Sequence, residues 1–172
     1  LTGGASLLVT NTGTIASLPT PSAIIVTGMA GSLSNSGLIS GTVAGVAISS
    51  ATMTGNISNG GTISGAYGIL LTSTSTIVGG IDNSGLINAA SYGIAVFNSA
   101  VGGTINNSGT INGGIYAQNG VIDSVDNSGV LSGVTTGLSL NLGSVVTGDV
   151  NNSGNINGQY GVALSSSTIG GN

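Results

Sequence analysis

One pattern constrains this chain more than any other: Asn-x-Gly, most often Asn-Ser-Gly, returns at a nearly fixed interval. The asparagines stand at Asn11, Asn35, Asn59, Asn83, Asn107, Asn127 and Asn152; the first four intervals are 24 residues, the last two 20 and 25. Glycine follows two residues later every time, at Gly13, Gly37, Gly61, Gly85, Gly109, Gly129 and Gly154. Other offsets repeat too. Four residues after the asparagine come Ile15, Ile39, Ile63, Ile87, Ile111, Leu131 and Ile156. Two residues before it come Val9, Leu33, Ile57, Ile81, Ile105, Val125 and Val150. Six residues after it the side chain is always small, from Ser17 through Gly41, Gly65, Ala89, Gly113 and Gly133 to Gly158.

Within each copy the apolar residues alternate with polar ones, the period of a strand with one buried face. A short alternating run opens on glycine further along most copies, as in Gly93-Ile94-Ala95-Val96 and Gly161-Val162-Ala163-Leu164. Helix is disfavoured by the abundance of Gly, Ser, Thr and Asn and by β-branched residues at the apolar positions. A sandwich has no need of the same residue at every 24th position, whereas stacked coils do, because equivalent residues then lie on one another. The expected fold is therefore all-β: a single right-handed parallel β-helix over residues 1–172. It has about seven coils of ~24 residues, each with three short strands, and a rod length of roughly 34 Å at about 4.8 Å per coil.

Each repeated position then acquires a role. The isoleucines and valines form inward ladders, and the seven asparagines an amide ladder running from coil to coil. The glycine after Asn-Ser is expected to supply a positive φ at a corner. The small residue six positions after the asparagine permits a tight bend or close backbone approach. The 20-residue copy reaches Ile115-Tyr116-Ala117 about three residues early, which predicts a shortened corner and a dent in one edge. Pro19-Thr20-Pro21 predicts a bulged loop, since proline cannot donate to a ladder.

Composition narrows the chemistry. There is no Lys, Arg, His, Cys or Trp, and the four acidic residues, Asp82, Asp123, Asp126 and Asp149, give a net charge of −4. Without cations the chain has nothing to neutralise phosphates, so nucleic acid is not an expected partner. Zinc sites and histidine- or cysteine-based catalysis lack their residues. No apolar run approaches the roughly 18 residues of a membrane helix, so no membrane insertion of this segment is expected. The chain shows no signal-peptide pattern and does not start with Met, as a mature or excised segment would.

Units such as Ile105-Asn106-Asn107-Ser108-Gly109-Thr110-Ile111-Asn112-Gly113 and Ile81-Asp82-Asn83-Ser84-Gly85-Leu86-Ile87-Asn88 resemble repeats in bacterial autotransporter passenger regions and other secreted β-helical adhesins. The resemblance spans essentially the whole chain, though not the family's translocating barrel. It implies export, display at the bacterial cell surface or release, and a stalk whose ligand would be a host or surface glycan or protein.

The expectation that follows is a non-enzymatic structural or adhesive segment without a cofactor. Asp123 and Asp126 are the candidate calcium ligands, although the Gly-rich nonapeptide of calcium β-rolls is missing. Asp82 and Asp126 share a register two coils apart, about 9.6 Å, near the carboxyl separation of inverting glycosidases. Asn56, Asn106 and Asn151 head glycosylation-type triplets, as chance provides in an Asn/Ser-rich repeat. Tyr67, Tyr92, Tyr116 and Tyr160 are read as corner packing, with sugar stacking as the alternative. Thr14, Thr62 and Thr110 recur three residues after the asparagine, the germ of an ice-binding face, but Leu38, Leu86, Val130 and Asn155 interrupt them. The chain enters and leaves in mid-coil, which raises head-to-tail self-association into a fibre as a further possibility.

Overall fold

The computed structural model describes residues 8–17 and 21–172. Pro19 and Thr20, and with them most of the expected bulged loop, lie outside the described residues, as do Leu1 to Leu7. Among the described residues there is no helix; 22 strands join in one sheet system, and every pairing in it is parallel. Each strand of the inner coils is bonded to its equivalent one coil earlier and one coil later. Ile81, for example, pairs with Ile57 on one side and Ile105 on the other. The fold is a β-solenoid of seven turns.

The coil that begins at Ile81 shows how sequence becomes shape. Ile81–Asn83 forms the first strand, and Ser84-Gly85 turns the chain. Leu86–Phe97 follows, broken by a register shift between Ala89 and Tyr92 that splits it into two faces. After a corner at Asn98, Ala100–Asn107 leads into the next coil, with a second shift between Val101 and Thr104. In both long strands an irregularity divides what would otherwise be a flat run.

Five inward columns fill the core. Ile57, Ile81, Ile105 and Val125 stack in one, and Ile39, Ile63, Ile87, Ile111 and Leu131 in another. Val46, Ile69, Ile94, Ile115 and Leu138 form the third, Ile48, Leu71, Val96, Ala117 and Leu140 the fourth, and Met53, Ile77, Val101, Ile122 and Val146 the fifth. All are buried. Each branched side chain contributes about 1.5–3 kcal/mol by leaving water, but only because a coil lies above and below it.

The two irregular intervals have simple structural causes. Asn88 pairs with Asn112 and Ile94 with Ile115, so the 20-residue coil spends three residues fewer on the bend between them. It saves a fourth where Ile122 and Ser124 face Val101 and Thr104. The ladders before and after these points keep their register. The 25-residue coil gains its extra residue at Leu142-Gly143, where the chain turns out of the third strand.

Candidate functional site

The repeated asparagine is the most heavily bonded side chain among the described residues. Asn59 Nδ2 donates to Asn83 Oδ1 at 2.7 Å, to its own turn at Gly61 O at 3.2 Å and to Leu86 O at 3.2 Å. The same three contacts recur for Asn11, Asn35, Asn83, Asn107 and Asn127, with amide-to-amide distances of 2.7–2.8 Å throughout. These amides are buried, whereas Asn152, in the last coil, is exposed and its Nδ2 donates only to Gly154 O. The ladder has a direction: nitrogen always points toward the C-terminal coil. It continues through the 20-residue and 25-residue intervals without a break.

The glycine two residues on does a different job from the one expected. None of Gly13, Gly37, Gly61, Gly85, Gly109, Gly129 or Gly154 has a positive φ. Backbone spacing imposes the glycine instead. The Ser84 and Gly85 N–H groups both donate to Asn59 O at 2.9 and 3.0 Å, and Leu86 N–H donates to Gly61 O at 2.8 Å. A Cβ on Gly85 would fall inside the surface of Gly61 O, and the same holds for every repeat glycine except Gly13, which has no described neighbour there. Gly41, Gly65 and Gly133, six after the asparagine, meet carbonyls of their own bend instead, at Ala44, Tyr67 and Thr136, the close backbone approach expected of them.

Among the described residues the non-glycine positive φ values gather at the opposite corner. Ser50, Ser73, Asn98, Asn119, Leu142 and Ser166 occupy one register and all have φ between 46° and 57°. Just inside them runs a hydroxyl ladder that the repeat analysis missed. Ser75 N–H donates to Ser99 Oγ at 3.1 Å, Gly120 N–H to Ser144 Oγ at 3.2 Å, and Ser144 N–H to Ser167 Oγ at 3.1 Å. The signal was present in Ser75 and Ser99, 24 residues apart, but serine is too common here for that to stand out.

The carboxylates lie on the outer surface. Asp82 and Asp126 come together in one open trough of about 710 Å³ along the Asn-Ser corner, with Asn106 between them. Asn106 Nδ2 donates to Asp82 Oδ1 at 2.8 Å, Asn56 Nδ2 to Asp82 Oδ2 at 3.1 Å, and Asn151 Nδ2 to Asp126 Oδ1 at 2.8 Å. Only Asn, Ser, Gly and Asp line the trough, so no ring flanks either carboxylate. Asp123 faces elsewhere and accepts from Thr147 Oγ1 at 3.2 Å, and the structure does not bring it together with Asp126. No cluster of three or more His, Cys, Asp or Glu occurs among the described residues. The threonine column reads Thr14, Leu38, Thr62, Leu86, Thr110, Val130, Asn155 in register, an alternation rather than an array.

The tyrosines divide. Tyr67 and Tyr92 are register partners, and Tyr160 holds the equivalent place in the last coil beside Thr136. Tyr116 belongs to another column, between Ala95 and Ser139, yet its ring stacks on Tyr92 with centroids 4.3 Å apart and planes 20° apart. Phe97 closes the cluster, edge-on to Tyr67 and 5.5 Å from Tyr116. Burial raises the pKa of the Tyr92 hydroxyl above the ordinary tyrosine value, and the neighbouring Tyr116 and Tyr67 push it further.

No family model, curated protein or solved structure matches this chain.

Proposed function

We propose that this chain is a structural or adhesive segment of a bacterial cell-surface or secreted β-helical protein, similar to the stalk of an autotransporter passenger. The observation that carries the reading is the amide ladder, unbroken through seven coils despite intervals of 24, 20 and 25 residues. A ladder and five apolar columns kept in register serve a rod. The outer surface fits exposure outside the cell. With no Lys or Arg it offers trypsin-like proteases no cleavage site. Neutral Asn, Ser and Thr also avoid placing like charges about 4.8 Å apart in successive coils.

An antibody against the segment tests this on intact cells expressing the parent protein. Immunogold label outside the cell envelope is the expected result, and label confined to the cytoplasm overturns it.

Head-to-tail stacking into a filament is the second reading, favoured by the ladder's direction. Because every amide donates in one sense along the stack, copies joined in the same orientation could repeat the contact that Asn127 makes with Asn152. Electron microscopy of the pure protein separates the two, since isolated short rods at high concentration overturn the filament.

A further inference from the structure

The shortened coil leaves a hole in one edge of the rod. Between Asn112 and Ile115 it has only Gly113 and Gly114, where its neighbours place a projecting bend of five residues. The bends on either side therefore face each other across about two coil spacings, roughly 9.6 Å. Ala90, Ser91 and Tyr92 form one wall, Val134, Thr135 and Thr136 the other, and Gly113 the floor. The notch is open to solvent and has a volume of about 460 Å³, within the range of small-molecule sites.

Its two sides differ in chemistry. One is aromatic, the stacked pair Tyr92–Tyr116 with Tyr67 behind it. The other presents hydroxyls and an amide from Thr135, Thr136, Ser139 and Asn141. Asn141 Nδ2 donates to Ser139 Oγ at 2.9 Å and Tyr116 Oη lies 3.0 Å from Gln118 Oε1, so these groups are held in place. The hydroxyls of Ser91, Thr135 and Thr136 make no hydrogen bond among the described residues. None of the lining residues is charged.

We infer that this notch binds a neutral pyranose ring of a glycan. A pyranose carries a face of C–H groups and a rim of hydroxyls. The C–H face matches an aromatic side chain, and the rim matches uncharged donors and acceptors on the facing wall. An organic cation would also favour aromatic faces, but cation cages gain from a nearby carboxylate, and none lines this notch. Acidic sugars would find no cation to pair with. The site owes its existence to the deletion, because a 24-residue coil would fill it with its own bend.

The test uses the intact chain and a panel of maltotriose, cellotriose and chitotriose, with sialyllactose and tetramethylammonium as controls. Saturation-transfer NMR and tyrosine fluorescence, undisturbed by tryptophan, report binding. At least one neutral trisaccharide is expected to saturate with Kd near or below about 1 mM, and Tyr116→Ala to weaken it by about tenfold. Tyr160→Ala, on the same edge but outside the notch, leaves it unchanged. Inserting Ala-Ala-Ser between Gly113 and Gly114 rebuilds the bend and is expected to abolish binding with every tyrosine intact. Thermal unfolding of each variant checks that it folds. Absence of saturable binding by all three trisaccharides overturns the inference. So does equal binding by the insertion variant if it folds, or a response to tetramethylammonium alone. Rigid surface rods without sugar binding would leave the stalk reading standing and remove only this one.

Discussion

The two corners of each coil solve the same problem, reversing a strand inside a stack, by opposite means. At the Asn-Ser-Gly corner the backbone is relaxed and the constraint lies between coils. Carbonyl oxygens of one coil sit where a Cβ of the next would go, and a buried amide joins the levels. At the corner marked by Asn98 the constraint lies within the coil. One residue adopts a left-handed conformation, or two in succession at Ser73-Thr74 and Leu142-Gly143, and the position takes Ser, Asn and even Leu. Glycine is conserved down the stack where levels touch, and is dispensable where only a single φ is unusual. A left-handed residue costs its own coil roughly 1–2 kcal/mol, whereas a clash between coils breaks the ladder for both.

Breaking the first corner should have the larger effects. Asn83→Ala removes a donor to Asn107 Oδ1 and the acceptor of Asn59 Nδ2, all buried. Asn59 Nδ2 keeps Gly61 O and Leu86 O. The cost is therefore one buried acceptor left without its donor, about 1–3 kcal/mol, plus one lost buried hydrogen bond, about 1 kcal/mol. Together they predict a loss of about 3 kcal/mol, read as a lower urea midpoint. Because stacked repeats can unfold in parts, amide exchange should accelerate most at the coils on either side of Asn83. Uniform acceleration along the whole rod would show instead that the stack melts as one unit.

Next comes a pair that isolates contact between coils from conformation. Gly85→Ala drives a Cβ into Gly61 O and is expected to cost about 2 kcal/mol, in the range of overpacked interiors. Gly13→Ala, in the same motif with no described neighbour within 4 Å, is expected to be neutral or stabilising by up to about 0.5 kcal/mol through the unfolded chain. Equal losses at both positions in denaturant titrations would restore conformation as the reason for glycine.

At the second corner Ser99→Ala deletes the acceptor of the buried Ser75 N–H and a donor to Phe97 O. A loss of about 1 kcal/mol is expected, with faster exchange of the Ser75 amide as its local signature. An unchanged Ser75 exchange rate would mean that the hydroxyl ladder carries no weight.

These contrasts explain what could be read in advance. Coil number, strand alternation, inward columns and the amide ladder were legible because each is a residue type recurring at one spacing. The dent at Gly113-Gly114 was legible as a broken spacing. The left-handed column was not, because Ser50, Ser73, Asn98, Asn119, Leu142 and Ser166 share a backbone state without sharing a side chain. The reason for the repeat glycine was misread because a single copy of Asn-Ser-Gly looks like a turn motif, and its partner oxygen belongs to another coil. The dent and the sugar-stacking alternative for the tyrosines were both legible, but not that the two coincide. Tyr116 enters the dent from a different column, and nothing in a linear register places its ring on Tyr92.

A substitution expected to stabilise sharpens the comparison from the other side. Leu142 holds φ 51° with its side chain largely exposed, in the column that carries Asn98 and Asn119 two levels and one level before it. Asparagine tolerates the left-handed region better than leucine. Asn119 Nδ2 already donates to Asn98 Oδ1 at 2.8 Å on this surface, so Leu142→Asn would extend an existing amide row. Conformational relief and one exposed hydrogen bond together predict a gain of about 0.5–1 kcal/mol, or a rise in Tm of about 1–4 °C for a chain of this size. The same substitution made at the other corner, Leu86→Asn, relieves no strain, because the backbone there is ordinary strand, and gains nothing. If both variants are stabilised alike, added surface polarity is the cause and the left-handed column is not under strain.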